Sequence, residues 1–315
     1  MPDKNPSPLG IAALAYENPG FLNSPEGRII RILSEYSEPL SRFRRERIQD
    51  TVVFFGSARF RARDEASQEL ELLENTGSKQ PAPVEEQPAS EPELEEGTSE
   101  LKLRRAEAAV EMASYYEDAR KLAFMLTEWS KTLRSRRYRF VVTSGGGPGI
   151  MEAANRGAHE AGGKTIGLNI KLPFEQAPNP YITPSLNFEF HYFFMRKYWF
   201  AYLAKALVVF PGGFGTLDEM FELLTLAQTQ KLAKKITVVI YGSSYWQSVL
   251  NLDVLVDKGA ISPRDRNLFQ YADTPEEAFA LLKDGLTRNH LTAEAPSAEP
   301  DDDGALRPEI ARTRR

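Results

Sequence analysis

The sequence predicts an α/β protein: a doubly wound, mostly parallel, Rossmann-like sheet with helices on both faces. Three observations predict it. Short, continuously apolar runs, such as Thr51-Val-Val-Phe-Phe55 and Ala206-Leu-Val-Val-Phe210, read as strands covered on both faces. Each runs into a turn rich in glycine or small residues. Segments of helical composition alternate with the strands, which is the pattern of βα units.

In chain order, a polar leader precedes Ser24-Pro25, a plausible N-cap and first residue for a helix reaching about Phe43. The first strand, 51–55, ends at Gly56-Ser57-Ala58-Arg59. Residues 64–100 then carry twelve acidic residues against one lysine, several prolines and almost no aromatics, which predicts disorder. A long helix follows from about Leu101 to Arg136, with Leu122, Leu126, Trp129 and Leu133 on one face. Strands near 139–144, 164–170, 206–210 and 235–241 alternate with helices near 148–161, 192–204, 216–230 and 245–257. Thr274-Pro-Glu-Glu-Ala is a capped helix start, and the tail from about Thr292 is acidic and then arginine-bearing. The expected organisation is a leader and helix at 1–50, a Rossmann-like catalytic domain at 51–290 containing the insert 64–100, and a disordered tail at 291–315.

Composition narrows the chemistry. With no cysteine there are no disulfides, thiolate metal sites or Cys nucleophiles. Three histidines without HxxxH spacing argue against a zinc enzyme, so neither a metal nor a cofactor is expected. The net charge is −5, but the 64–100 insert accounts for −11 by the count above, leaving +6 for the remainder. That balance suits an anionic ligand. No apolar run reaches transmembrane length and no leader of secretory type stands at the start, so a cytoplasmic protein without membrane contact is expected. The arginine clusters 42–47 and 134–139 lack interleaved stacking aromatics, and read as solvated faces and helix C-terminal partners, not as a nucleic-acid surface.

The most informative stretch is Pro211-Gly212-Gly213-Phe214-Gly215-Thr216-Leu217-Asp218-Glu219. It closes a buried strand, turns on glycines and opens a helix with Leu217, Met220, Phe221, Leu224 and Ala227 on one face. Glycines let backbone N–H groups approach a ligand, and the helix start adds unpaired N–H groups and the positive end of its dipole. Gly145 to Gly149 forms a second such turn, and two of them at the carboxyl ends of parallel strands can share one crevice. Either turn alone also reads as a simple chain reversal. A dinucleotide fingerprint fails, because its third glycine falls on Ile150; a P-loop fails, because its first glycine falls on Ala158.

Pro211 to Glu219 resembles the PGGxGTxxE motif of the LONELY GUY (LOG) family, cytokinin-activating phosphoribohydrolases and their bacterial relatives, long labelled "lysine decarboxylase". The resemblance extends through Phe55-Gly56-Ser57-Ala58, the Gly145 to Met151 turn, Met195-Arg196-Lys197 and the Gly259 to Arg264 segment. It implies hydrolysis of the N-glycosidic bond of a nucleoside 5′-monophosphate to free base and ribose 5-phosphate, the base being adenine, a cytokinin or another purine or pyrimidine. It also implies a homodimer or higher homo-oligomer. The family's catalytic pair maps onto Arg196 and Glu219. Gly146, Gly147, Gly212, Gly213, Gly215, Thr216, Lys197 and Ser57 map onto substrate and phosphate binding. Where the plant-type motif has Met-His, this chain has Phe193-Phe194-Met195, so the family's histidine is missing from that slot. Phe193, Phe194, Tyr198 and Trp199 read as core or dimer packing ahead of a base-stacking box. A nucleotide sensor or cofactor carrier on the same fold is the alternative function.

Overall fold

The computed structural model describes residues 12–76, 99–173, 177–232 and 234–291. Seven parallel strands form one sheet in the order β4-β3-β2-β1-β5-β6-β7. They are β1 (Thr51–Phe55), β2 (Val141–Ser144), β3 (Thr165–Ile170), β4 (Asn187–Phe190), β5 (Ala204–Val209), β6 (Thr237–Tyr241) and β7 (Gln270–Ala272). The helices are α1 (Pro19–Leu22), α2 (Arg28–Arg45), α3 (Arg63–Thr76), α4 (Ser99–Lys131), α5 (Ile150–Glu160), α6 (Phe193–Leu203), α7 (Phe214–Gln228), α8 (Ser243–Val249), α9 (Leu252–Asp257) and α10 (Pro275–His290). Strand order runs outward from β1 to β4, then returns to the other side of β1 at β5. The doubly wound prediction holds.

Strand β1 shows why both faces need cover. Val53 and Phe55 pack with Phe43, Trp199, Phe200, Met220 and Trp246 from α2, α6, α7 and α8. Val52 and Phe54 point the other way, onto Tyr116, Leu122 and Leu126 of α4, Ile150 of α5 and Leu282 of α10. All five residues of β1 are buried, which explains why its sequence is apolar without alternation. Asp50, just before it, is held by Arg139 Nε at 2.7 Å and by the Phe140 N–H at 2.6 Å, tying the entries of β1 and β2 together.

Several expectations need correction. Residues 64–76 of the acidic insert lie in helix α3, with Ala66 buried and the Arg63 N–H bonded to Glu117 of α4. Residues 77–98 of the insert lie outside the described residues, and its last two positions open α4. Ser24-Pro25 does not start α2. Ser24 instead closes a turn, accepting from the Gly27 N–H and donating to the Phe21 carbonyl, and the helix begins at Arg28. The long helix α4 ends at Lys131, five residues early, where Ser130 and Thr132 bond back to carbonyls three residues earlier. The 245–257 segment is two helices, because Asn251 caps a new one through the Val254 N–H. Strands β4 and β7 were not expected. On α7 the buried face holds Met220, Leu223 and Leu224, while Phe221 is exposed. The Thr274 cap is as expected, accepting from the Glu277 N–H.

Candidate active site

The carboxyl ends of β1, β2 and β5 meet at the point where strand order reverses, the usual ligand position in an open parallel sheet. One short loop joins them: the Ser57 N–H donates to the Pro211 carbonyl and the Ser57 carbonyl accepts from the Ile150 N–H, both at 3.0 Å. Gly149, with φ +70°, presses against the Ser57 carbonyl, so a side chain there would meet backbone as well as adopt an unfavourable conformation.

After β5, Gly213 precedes α7 with no side-chain cap, and the first helical bond runs from the Leu217 N–H to the Gly213 carbonyl. The N–H groups of Phe214, Gly215 and Thr216 therefore stand ahead of the helix's own acceptors. Gly213, Phe214 and Gly215 are exposed, whereas Thr216 is buried over Gly212. Tyr245 anchors the turn by donating to the Gly212 carbonyl at 3.0 Å. The result is a rigid, open anion cradle at a helix N-terminus.

Glu219 sits one turn into α7 and is 7% exposed. Burial pushes its carboxyl pKa up to about 7, against the pull of Arg196 and Lys197. Arg196, on α6, donates Nε to the Leu168 carbonyl at 2.7 Å and lies over the Phe200 ring. Its guanidinium tip reaches Gly145 at the β2 turn. Burial lowers the Arg196 pKa while Glu219 raises it. A carboxyl that titrates near neutrality beside a fixed arginine and free helix N–H groups can exchange a proton with water next to a bound anion. A cavity of about 840 Å³ opens nearby between Ala58, Arg59, Pro148, Gly149, Asn179 and residues of α3 and α4, but neither Arg196 nor Glu219 lines it. The buried ionisable pair and the unpaired helix N–H groups place the candidate site at Arg196 and Glu219, outside that cavity.

Residues 151–282 match the family described as "Possible lysine decarboxylase". A probable cytokinin riboside 5′-monophosphate phosphoribohydrolase of Arabidopsis thaliana is 30% identical over 144 residues, which is 46% of this chain and 71% of that protein. The chain belongs to the LOG family. Another probable cytokinin riboside 5′-monophosphate phosphoribohydrolase, from Oryza sativa subsp. japonica, is 26% identical over 186 residues, 55% of this chain and 73% of that protein. The solved Moco carrier protein from Chlamydomonas reinhardtii is 21% identical, covers 56% of this chain and 89% of its own, and superposes with a TM-score of 0.38, too slight a likeness to build on.

The LOG motif residues do not all end up in the same kind of place. Arg196 and Glu219 lie within electrostatic reach of each other, Gly212 packs against Thr216 and the Ser57 N–H, and Gly213 and Gly215 stand open at the start of α7. Lys197 is already engaged: Nζ lies 2.8 Å from Asp218 and 3.0 Å from Glu222. Partial burial pulls its pKa down, but the two carboxylates outweigh that and hold it above its usual value. Gly146 spends its N–H on Ser144 Oγ at 3.0 Å and its carbonyl on Asn179; with φ +79° and Asn169 against it, it is a structural hinge of the turn. Gly147 is buried beside it and its carbonyl also accepts from Asn179. Tyr198 and Trp199 pack inward, Trp199 donating to the Glu35 carbonyl, while Phe193 and Phe194 are half exposed at the start of α6.

Four residues escaped sequence reasoning as parts of the site. Asn179 donates to the carbonyls of Gly146 and Gly147 and to Asn155, which also accepts from Ser144 at 2.6 Å. This buried network fixes the β2 turn. Its members, with Tyr245, are scattered polar residues whose roles depend on contacts between distant segments; no spacing announces them. No helix among the described residues is long and apolar enough to cross a membrane.

Proposed function

We propose that the protein hydrolyses the N-glycosidic bond of a nucleoside 5′-monophosphate, releasing free base and ribose 5-phosphate. The observation that carries this reading is the buried Glu219 carboxyl, titrating at about 7, next to Arg196 and one helical turn from the unpaired N–H groups of α7. The 5′-phosphate sits on the N–H groups of Phe214, Gly215 and Thr216 with the Thr216 hydroxyl. Arg196, anchored through Nε, turns its remaining donors to the ribose hydroxyls or phosphate.

The chemistry balances without a metal in the scheme. Water oxygen bonds to C1′ as the C1′–N bond breaks, Glu219 takes the water proton, and the base leaves with the bonding pair and gains a proton from solvent. The ribose carries oxocarbenium character on the way, which the Glu219 carboxylate stabilises. Lys197 acts through Glu219: by neutralising Asp218 and Glu222 it limits the like charge around the catalytic carboxyl. AMP is the first substrate to try, ahead of cytokinin nucleotides, because the histidine slot is filled by aromatic residues. The exposed Phe193, Phe194 and Phe214, at the starts of α6 and α7, fit burial against a second copy in a homodimer.

The test is a panel of nucleoside 5′-monophosphates and the matching nucleosides, with free base measured by chromatography. At least one monophosphate is expected to be cleaved and its nucleoside hardly at all. Equal efficiency on both removes the phosphate cradle from the mechanism; no cleavage of any monophosphate favours the sensor or carrier alternative.

A further inference from the structure

The opposite, amino-terminal end of the central strands carries a second cavity, lined with basic residues. The segments that enter β1, β2 and β3 surround a cavity of about 550 Å³, within the range of small-ligand pockets. Its walls carry Arg45, Arg47, Lys131, Arg136, Arg137, Arg139 and Lys164. The two arginine clusters that the sequence separates by some ninety positions thus face one space.

Three of these cations are spoken for: Lys131 by Glu128, Arg139 by Asp50 and Lys164 by Glu46. The side chains of Arg45, Arg47, Arg136 and Arg137 make no hydrogen bond or ion pair among the described residues. Helix ends explain part of this charge, since α2, α4 and α5 all finish here at Arg45, Lys131 and Glu160. Each carbonyl end is worth about half a negative charge, roughly −1.5 in all, which is less than four unpaired guanidinium groups. The surplus is not a helix-capping effect.

The backbone ties the two arginine-bearing segments together at Arg47 and Tyr138. Arg47 has φ +57°, a left-handed conformation uncommon outside glycine, and is fixed there because the Tyr138 N–H donates to its carbonyl at 2.8 Å and the Gln49 N–H to the Tyr138 carbonyl at 2.9 Å. Tyr138 is half exposed with Lys164 Nζ 4.4 Å over its ring. We propose that this cavity binds a polyphosphate chain, either free or as part of a nucleoside triphosphate. Four guanidinium groups bring more positive charge than the roughly two negative charges of one phosphate, a surplus that a phosphate chain matches. The site lies across strands β1 and β2 from Arg196 and Glu219, so it is separate from the catalytic crevice.

Calorimetric titration of the full chain with inorganic triphosphate tests this, with ATP and a short RNA as parallel ligands. Triphosphate is expected to bind wild-type protein. Arg136→Ala/Arg137→Ala should weaken it by about tenfold or more at unchanged Tm, while Thr216→Val, in the catalytic cradle, leaves it unchanged. Equal affinity for triphosphate and ATP identifies the phosphate chain as the whole ligand; tighter ATP adds its nucleoside. The proposal is overturned by absence of triphosphate binding, by binding indifferent to the arginine changes, by its loss in Thr216→Val, or by RNA binding more tightly than triphosphate through the same arginines. None of these outcomes depends on whether monophosphates are hydrolysed.

Discussion

Arg196 and Glu219 shift each other's ionisation without forming an ion pair. Burial moves Glu219 up and Arg196 down, and each is the largest charge opposing that drift in the other. Had they closed into a salt bridge, the carboxyl would sit low and inert. Arg196 Nε is instead engaged by the Leu168 carbonyl, and burial pushes the Glu219 carboxyl up to about 7.

The first consequence concerns rate. Glu219→Gln keeps the shape but loses the base and the negative charge, so kcat on the best monophosphate should fall by roughly a hundredfold or more with KM little changed. In wild-type protein kcat/KM should climb with pH through an acid limb centred near 7, and that limb should vanish in the variant. A pH–rate profile of both proteins checks this; near wild-type turnover in Glu219→Gln would show that another group is the base.

Stability should move the other way. A carboxyl whose folded pKa is raised from 4.5 to about 7 favours the folded state at low pH, and that advantage is lost as pH rises through this window. Ionised Glu219 is therefore a burden above pH 7, of at most roughly 3 kcal/mol. Glu219→Gln should melt higher than wild type at pH 8, with the gap closing towards pH 4.5. Thermal melts at the two pH values decide it, and a variant that melts lower at pH 8 contradicts the assigned burial.

Asn179→Ala should cost both stability and activity. It strips the Gly147 carbonyl of its side-chain donor, leaves the Gly146 carbonyl with the Asn179 N–H at 2.8 Å alone and Asn155 short of one partner, a loss of about 1–3 kcal/mol. Because the turn abuts Arg196, kcat should drop along with Tm. A Tm equal to wild type would mean the network does not hold the turn.

Helix α3 gives a prediction opposite to what its composition suggests. Ala66 is buried at 1% exposure, so Ala66→Glu places an unpaired charge in a packed position and should destabilise the fold by about 2–4 kcal/mol. Denaturant unfolding checks this; an unchanged midpoint would mean α3 contributes nothing.

The difference between α3 and its disorder-like composition marks where sequence reading gives out. Strands β1, β5 and β6 were legible because burial on both faces favours apolar runs such as Val52–Phe55, Ala206–Val209 and Val238–Tyr241, whereas β2 and β3, which include Thr143, Ser144, Gly167 and Asn169, were legible with the help of the glycine turns beside them. Strand β4, Asn187-Phe-Glu-Phe190, alternates over only four residues, and β7 has three, too few for a period to declare itself. Helix α3 stays polar because it covers α4 with little more than Ala66 fully buried. At the site, Arg196 and Glu219 were readable from a motif. The commitment of Lys197 to Asp218 and Glu222, and of Gly146 to Ser144, were not, since a motif records which residues recur near a ligand and says nothing of which bonds are already taken.

Ser57 has a bearing on redesign. Its N–H and its carbonyl are bonded to two different loops, Pro211 at the end of β5 and Ile150 at the start of α5, so the three crevice loops form one mechanical unit. A shift of the backbone in any one of them is therefore passed to the other two, so a substitution that moves one turn will be felt at the turns after β1, β2 and β5 alike.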